Sequence, residues 1–266
     1  MTFISTAMLM LCLLVWLPAT AAVTMGLPAG AAMREIALGE AKMHLYVPVE
    51  DIETQDKEVA AILGIDTKRV SAQRDALASF DNAIGQKLWP SSIACARMLS
   101  QPSSFVPIKG LDIVELGCGL GAVGISAALA GARSVLLTDF QPASLELERA
   151  SAEANGVSDR VQTCLLDWTD PGSTLQERAV DLVIGSDVLY SRELSASLMD
   201  VVAALLVQAP RVRGRSEPRA LFVDPPFRPA RQVLPQLCVE RGLYWGGEVP
   251  MTEAEAGTVA INILRG

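Results

Sequence analysis

Residues 113–124 read Ile113-Val114-Glu115-Leu116-Gly117-Cys118-Gly119-Leu120-Gly121-Ala122-Val123-Gly124. An apolar run of strand length enters a glycine-rich turn and continues into small and apolar residues with a helical pattern. This is the opening of a βαβ unit. Glycines at 117, 119 and 121 remove the Cβ atoms that would keep a ligand away from the backbone. Beyond this stretch, short apolar runs keep alternating with helical segments to the end of the chain. Strands are expected at Asp112 to Leu116, Ser134 to Thr138, Val161 to Leu166, Asp181 to Ser186 and Ala220 to Val223. A closing pair is expected near Leu243 to Val249 and Gly257 to Leu264. Helices are expected at Ala122 to Ala130, Ala143 to Ala154, Glu193 to Val207 and Ala230 to Arg241. The expected fold class is α/β, with a doubly wound, seven-stranded, mostly parallel sheet over residues 108–266. Ligands of such sheets bind at the carboxyl ends of the strands.

Upstream, Arg34 to Val49 alternates around Gly39 as a small hairpin does, and residues 51–80 are charged and amphipathic, as surface helices are. Residues 34–107 therefore read as a hairpin-and-helix extension of the sheet domain. Residues 1–33 carry no charged side chain. Their apolar run, Ala7 to Leu17, is followed by Pro18 and small residues, which reads as a signal-peptide core or a disordered extension. It falls short of the ~20 residues of a comfortable membrane span and lacks a basic flank. Membrane contact is expected only if that segment is retained.

Composition excludes several classes of function. Among 266 residues, 22 basic and 30 acidic side chains leave a net charge of -8, so no positive field draws nucleic acid. The single histidine, His44, falls in the second hairpin strand with no nucleophile nearby in sequence, and reads as a strand-face residue. Cys12, Cys95, Cys118, Cys164 and Cys238 are scattered, with neither zinc-ligand spacing nor a disulfide framework. They suit a reducing compartment. A cytoplasmic monomer is expected, with secretory or organelle targeting through the N-terminal segment as the alternative.

The chemistry then rests on strand ends. Glu115 precedes the first glycine, where an acid suits a ligand's ammonium group and repels a pyrophosphate. Asp139 lies 20 residues beyond Gly119, at the end of the second strand, where an acid can bind ribose hydroxyls. Because Gly119, Gly121 and Gly124 also spell GxGxxG, a NAD-binding oxidoreductase stays open at this point. Asn155 and Gly156, with Leu166-Asp167-Trp168 after the third strand, place an acid and a flat ring beside an adenine position, with a packing role for Trp168 as the lesser alternative. The fourth strand ends Gly185-Ser186-Asp187-Val188-Leu189-Tyr190. An aspartate there needs a partner or a ligand, or else caps the next helix.

Leu88-Trp89-Pro90, Val114 to Gly124, Asp139, Leu166-Asp167-Trp168 and Gly185 to Tyr190 together resemble the seven-strand protein-lysine methyltransferases of the methyltransferase-like 21 group. The resemblance covers about Arg34 to Gly266. It implies a class I, Rossmann-like methyltransferase fold, S-adenosyl-L-methionine as cofactor and a lysine side chain of a protein substrate as acceptor. It also implies that Trp89 and Trp168 pack near the adenosine and that Gly117, Cys118 and Gly119 line the methionine and ribose. Asp139 would bind the ribose hydroxyls and Ser186 would touch the cofactor through its backbone. Asp187 and Tyr190 match the family's Asp-x-x-Tyr motif, implying a charge and a ring face at the methyl-transfer end.

Two stretches depart from that pattern. One is the uncharged N-terminus. The other is Asp224-Pro225-Pro226-Phe227, which mimics the Asp/Asn-Pro-Pro-Tyr/Phe motif of adenine and glutamine-amide methyltransferases but ends the fifth strand, not the fourth. It reads as a loop at the substrate entrance or a strand terminator. Methylation of a glutamine, an adenine or a small-molecule amine is the alternative acceptor chemistry. A basic cluster, Arg211, Arg213, Arg215 and Arg219, reads as a solvated loop or a patch for an acidic partner.

Overall fold

The computed structural model describes residues 31–48, 87–101, 106–172, 175, 178–208, 216–253 and 257–265. Strands β1 (Ala31–Leu38) and β2 (Ala41–Pro48) form the expected antiparallel hairpin, so pairing already begins at Ala31, inside the segment set aside from the fold. Glu35 stands opposite His44, whose Nε2 lies 3.6 Å from the Glu35 carboxylate. His44 is thus a strand residue paired across a hairpin. Helix α1 (Pro90–Ser100) follows; it starts on a proline at its first turn, where no N–H is needed.

The sheet domain then runs β3 (Asp112–Leu116), α2 (Ala122–Leu129), β4 (Ser134–Asp139), α3 (Pro142–Ala154), β5 (Val161–Leu165), β6 (Leu182–Ser186), α4 (Arg192–Ala203) and β7 (Arg219–Asp224). It closes with α5 (Leu234–Glu240), β8 (Tyr244–Glu253) and β9 (Gly257–Arg265). The seven strands lie in the order β5-β4-β3-β6-β7-β9-β8. All neighbours from β5 to β7 are parallel, and β9 and β8 add antiparallel pairs. The winding reverses between β3 and β6, so the loops leaving these two adjacent strands flank one crevice.

Successive strand residues face opposite layers. Ile113, Leu137, Ile184 and Val223 pack in the core that contains α1, α2 and α3, whereas Val114, Leu136, Val183 and Phe222 pack in the core of α4 and α5. Each buried side chain of this size contributes roughly 1.5–3 kcal/mol. Ile36, Met43 and Leu45 of the hairpin and Ile93 and Leu99 of α1 join the first core, so these described elements pack into the same body as the sheet. The hairpin is also stitched to α3: the His44 N–H donates to Asn155 Oδ1 at 2.9 Å and the Tyr46 N–H to Ser151 Oγ at 2.8 Å. Asn155, expected beside an adenine, instead holds this hairpin.

Helix α4 passes into a π-helical turn at Ala204–Gln208, so the single helix expected to Val207 changes its winding after Ala203. The helix expected from Ala230 divides into a 3-10 turn, Pro229–Gln232, and α5, because Pro235 suits the first turn of a new helix better than the interior of a longer one. The helices expected within residues 51–80, and Arg211, Arg213 and Arg215, lie outside the described residues. Among the described residues, no helix is long and apolar enough to cross a membrane.

Candidate functional site

The crevice at the winding reversal holds a cavity of about 290 Å³. Its wall contains Trp89, Gly117, Cys118, Gly119, Asp139, Trp168, Ser186, Asp187 and Tyr190, so nine of the residues singled out from sequence meet here. Gly117 leaves β3 with φ 67°, and a Cβ there would stand 3.0 Å from Trp168 Cζ2 and from Val188 Cγ1. Only a bare backbone keeps that wall open.

Asp139 ends β4 nearly buried. Its Oδ2 accepts the Gly119 N–H at 2.9 Å and its Oδ1 the Gln141 N–H at 3.0 Å. Burial raises the Asp139 pKa, while the backbone N–H groups of Gly119, Gln141 and Phe140 pull it down. Beside these N–H donors the carboxylate keeps lone-pair capacity for a ligand hydroxyl. Trp168, half-buried, presents its ring to the same space, and Asp167 beside it is exposed and folded into a turn by accepting from Thr169.

Two expected cofactor residues lie elsewhere. Glu115 is fully buried and accepts the Gly124 N–H at 2.7 Å; it does not line the cavity. Burial pushes its carboxyl well above the usual range, so it tends to neutrality and is unsuited to hold an ammonium group. Gly121 caps α2 in the left-handed region, and a Cβ there would meet Leu137 and Glu148 in the interior. Its role is packing and helix entry.

Beneath the glycine turn is a residue that sequence reading missed. Glu148 of α3 is fully buried, and its Oε1 accepts from Cys118 Sγ at 3.1 Å while Oε2 has no partner among the described residues. Burial raises its pKa to about 8. The Cys118 thiol is pushed up too, by burial first and then by the Glu148, Glu115 and Asp139 carboxyls. Glu148 sits in a helix with Glu146, Arg149 and Glu153, and only its helical spacing from Leu145 and Ala152 marks it as the acid on the buried face.

On the opposite wall, Asp187 is the one non-glycine among the described residues with positive φ, 59°. Such a conformation persists only when surrounding structure enforces it. The enforcing contacts come from β7: the Asp187 N–H donates to the Val223 carbonyl at 3.0 Å, and the Leu189 N–H donates to Asp224 Oδ1 at 2.9 Å. Asp224 is fully buried and its pKa is raised to about 7, by burial and then by the neighbouring Asp187. The Asp-Pro-Pro-Phe segment therefore braces the Asp187 loop from below and does not present its own acid to the cavity.

Asp187 also has a side-chain partner invisible in the motif. Arg228 Nε donates to Asp187 Oδ1 at 2.7 Å, and Nη2 bonds the same oxygen. The guanidinium carbon stands 5.8 Å from the centre of the Trp89 ring, within cation–π range. Burial raises the Asp187 pKa and Arg228 counters it. Trp89 arrives from the start of α1, and Ser92 one turn along is 2.8 Å from Ser186 Oγ, joining the helix to the end of β6 by a hydroxyl pair. Ser186 is thus engaged through its side chain. Lys87, Ser92, Phe140, Thr169 and Leu194 also line the cavity without having been singled out.

The cavity combines two ring faces, a bare glycine wall and two nearly buried carboxylates on opposite sides. Such a set suits a nucleoside at Asp139 and Trp168 and a cationic centre toward Asp187. A family model described as lysine methyltransferase matches residues 71–219, just over half of the chain. The chain belongs to the lysine methyltransferase family. Every cavity residue expected from sequence, Trp89 to Tyr190, falls inside the match; Asp224 and Arg228 lie beyond it.

Among relatives, the protein N-lysine methyltransferase METTL21A of Danio rerio is 33% identical over 121 residues, covering 44% of this chain and 54% of that protein. The ribosomal protein L11 methyltransferase of Aeromonas hydrophila is 29% identical over 140 residues, covering 49% of this chain and 45% of that protein. The chain thus spans about half the length of the curated relatives it matches. The fold is shared with magnesium protoporphyrin IX methyltransferase of Synechocystis, solved with S-adenosylhomocysteine. The TM-score is 0.51 at 16% identity, covering 66% of this chain and 84% of that one. Membership in the lysine methyltransferase family sets aside the dinucleotide reading of the glycine turn.

Proposed function

We propose that this chain is an S-adenosylmethionine-dependent protein-lysine N-methyltransferase. The observation that carries the reading is the meeting, in one cavity, of the glycine turn after β3 and the Asp187 to Tyr190 motif after β6. Bound S-adenosylmethionine supplies an electrophilic methyl on a sulfonium sulfur. For this chain's part, Asp139 would hold the ribose hydroxyls, Trp89 and Trp168 would enclose the adenosine, and Gly117 to Gly119 would let the ligand lie against the backbone. The fit is supported by the open wall at Gly117 and by the remaining lone pairs of Asp139.

At the other end, the acceptor amine must be neutral to attack, and it becomes cationic as the N–C bond forms. Asp187 and the Tyr190 ring face surround that developing positive charge, and burial strengthens their effect. Positioning the amine in line with the bond being broken supplies much of the remaining acceleration. Asp224, the candidate for amide or base chemistry, is turned to Leu189 and supports no second reading.

A protein acceptor is supported by the names of the relatives. The proposed setting is cytoplasmic and the proposed state monomeric, consistent with four described cysteines all free and with the acidic composition. The test is incubation of the full chain with tritiated S-adenosylmethionine and a cell extract, followed by acid hydrolysis. Labelled methyl-lysine is the expected product, and label confined to small molecules or nucleic acid would overturn the reading.

A further inference from the structure

We propose that Arg228 is a positioning residue of this site: seated between the Asp187 carboxylate and the Trp89 ring, it fixes Asp187 as a permanent anion beside the acceptor amine, so that Asp187 binds the amine's charge and does not take its proton. This rests on the lysine reading and adds a division of labour within it. The geometry is specific. Both guanidinium contacts, Nε at 2.7 Å and Nη2, fall on Oδ1 alone, and the Arg228 side chain is itself 19% exposed. Oδ2 is free of the guanidinium.

Arg228 comes from the turn after β7, outside the family match, and reaches a motif forty-one residues earlier. Its cation–π contact with Trp89 ties the acceptor side of the cavity to the wall at the start of α1. Arginine suits this role because it stays cationic at any working pH and its planar group stacks while it donates. The charged surroundings of Asp187 are mixed. The charge of Asp187 helps to raise the pKa of Asp224 at the end of β7, and beyond it Arg231 pairs with Glu248 of β8. Lys87 and Tyr190 line the same cavity. Among these charged groups, Arg228 offsets burial at Asp187 directly, and the Ser91 hydroxyl adds a smaller share.

The experiment compares the full wild-type chain with Arg228→Gln and Arg228→Lys by two readouts. The first is a ¹³C NMR titration of aspartate-labelled protein, with Asp187 assigned from Asp187→Asn. The second is the pH profile of methyl-lysine formation from tritiated S-adenosylmethionine and a cell extract. Loss of the guanidinium should raise the Asp187 titration midpoint by about one pH unit or more. It should move the acidic limb of the rate profile upward by the same amount, with Arg228→Lys largely restoring both. S-adenosylhomocysteine affinity, read by calorimetry, should change less than about twofold. An unmoved NMR midpoint overturns the proposal, as does a rate loss equal at every pH, which marks a structural role. Faster transfer by Arg228→Gln at every pH also overturns it, by showing that the guanidinium obstructs the acceptor. If the wild-type chain makes no methyl-lysine while the midpoint still moves, the hold of Arg228 on Asp187 stands and the lysine reading falls.

Discussion

The two walls of the cavity each end a strand with a nearly buried aspartate, and they stabilise it by opposite means. Asp139 is met by backbone N–H groups from residues within twenty positions of it, Gly119 on the neighbouring loop and Gln141 just beyond. Asp187 is met by a full positive charge, Arg228, and is held in the left-handed region by contacts from another strand. Backbone dipoles cannot be displaced without unfolding the turn, whereas a side chain's charge can be tuned or removed. A wall that binds the same nucleoside in every cycle can be built from fixed dipoles. A wall that receives a changing charge, an amine becoming a cation, needs a defined counter-charge.

The largest predicted effect breaks the acceptor wall alone. Asp187→Ala should lower the methyl-transfer rate by about 10²–10³-fold, the scale of removing one oriented electrostatic group. S-adenosylhomocysteine affinity should stay nearly intact, because that ligand lacks the charge Asp187 serves. Parallel single-turnover rates and calorimetry check the split, and an equal loss in both would mean the two walls are not separate. The mirror experiment, Asp139→Asn, should weaken S-adenosylhomocysteine about ten- to thirtyfold, or ~1.4–2 kcal/mol. The amide keeps one acceptor for a backbone N–H and loses the charge. Transfer at saturating cofactor should fall far less than in Asp187→Ala.

The same contrast explains what could be read in the sequence. The cofactor wall is local: the strand, the positive-φ glycines and the acid twenty residues on all lie in one βαβ unit, so Gly117, Gly119 and Asp139 were legible from spacing. The acceptor motif was legible as Asp187 and Tyr190, but its partners were not, since Arg228 and Asp224 reach it only through the pairing of β6 with β7. Asp224 even carried a misleading motif of its own. Glu115 and Asn155 failed for a related reason. An acid before a glycine turn and an Asn-Gly after a helix look ligand-directed in one dimension, yet the sheet turns the first inward and the hairpin claims the second. Periodicity placed all seven strands, of which β3, β4, β6 and β7 alternate between the two cores, and it missed α1, where only Trp89 and Pro90 stood out.

A finer test uses the acids buried behind each wall. Glu148 lies under the glycine turn with its pKa raised from 4.5 to about 8, and Asp224 lies under the Asp187 loop with its pKa raised from 3.8 to about 7. A raised folded pKa means that the folded protein holds a proton the unfolded chain releases. The stability this gives is complete below the unfolded pKa and is lost as pH rises through the folded value. Inside each window the loss is about 1.4 kcal/mol per pH unit. Glu148→Gln and Asp224→Asn do not titrate, and the latter keeps an oxygen for the Leu189 N–H. Chemical denaturation should therefore show both variants gaining on the wild type by similar amounts between pH 5 and 6. From pH 7 to 8 the Asp224→Asn gain should level off while that of Glu148→Gln continues, because only Glu148 is still losing its proton there. No gain by either variant between pH 5 and 8 would mean that neither acid is held neutral by burial. If the order of the two plateaus were reversed, the acceptor wall would be the drier of the two.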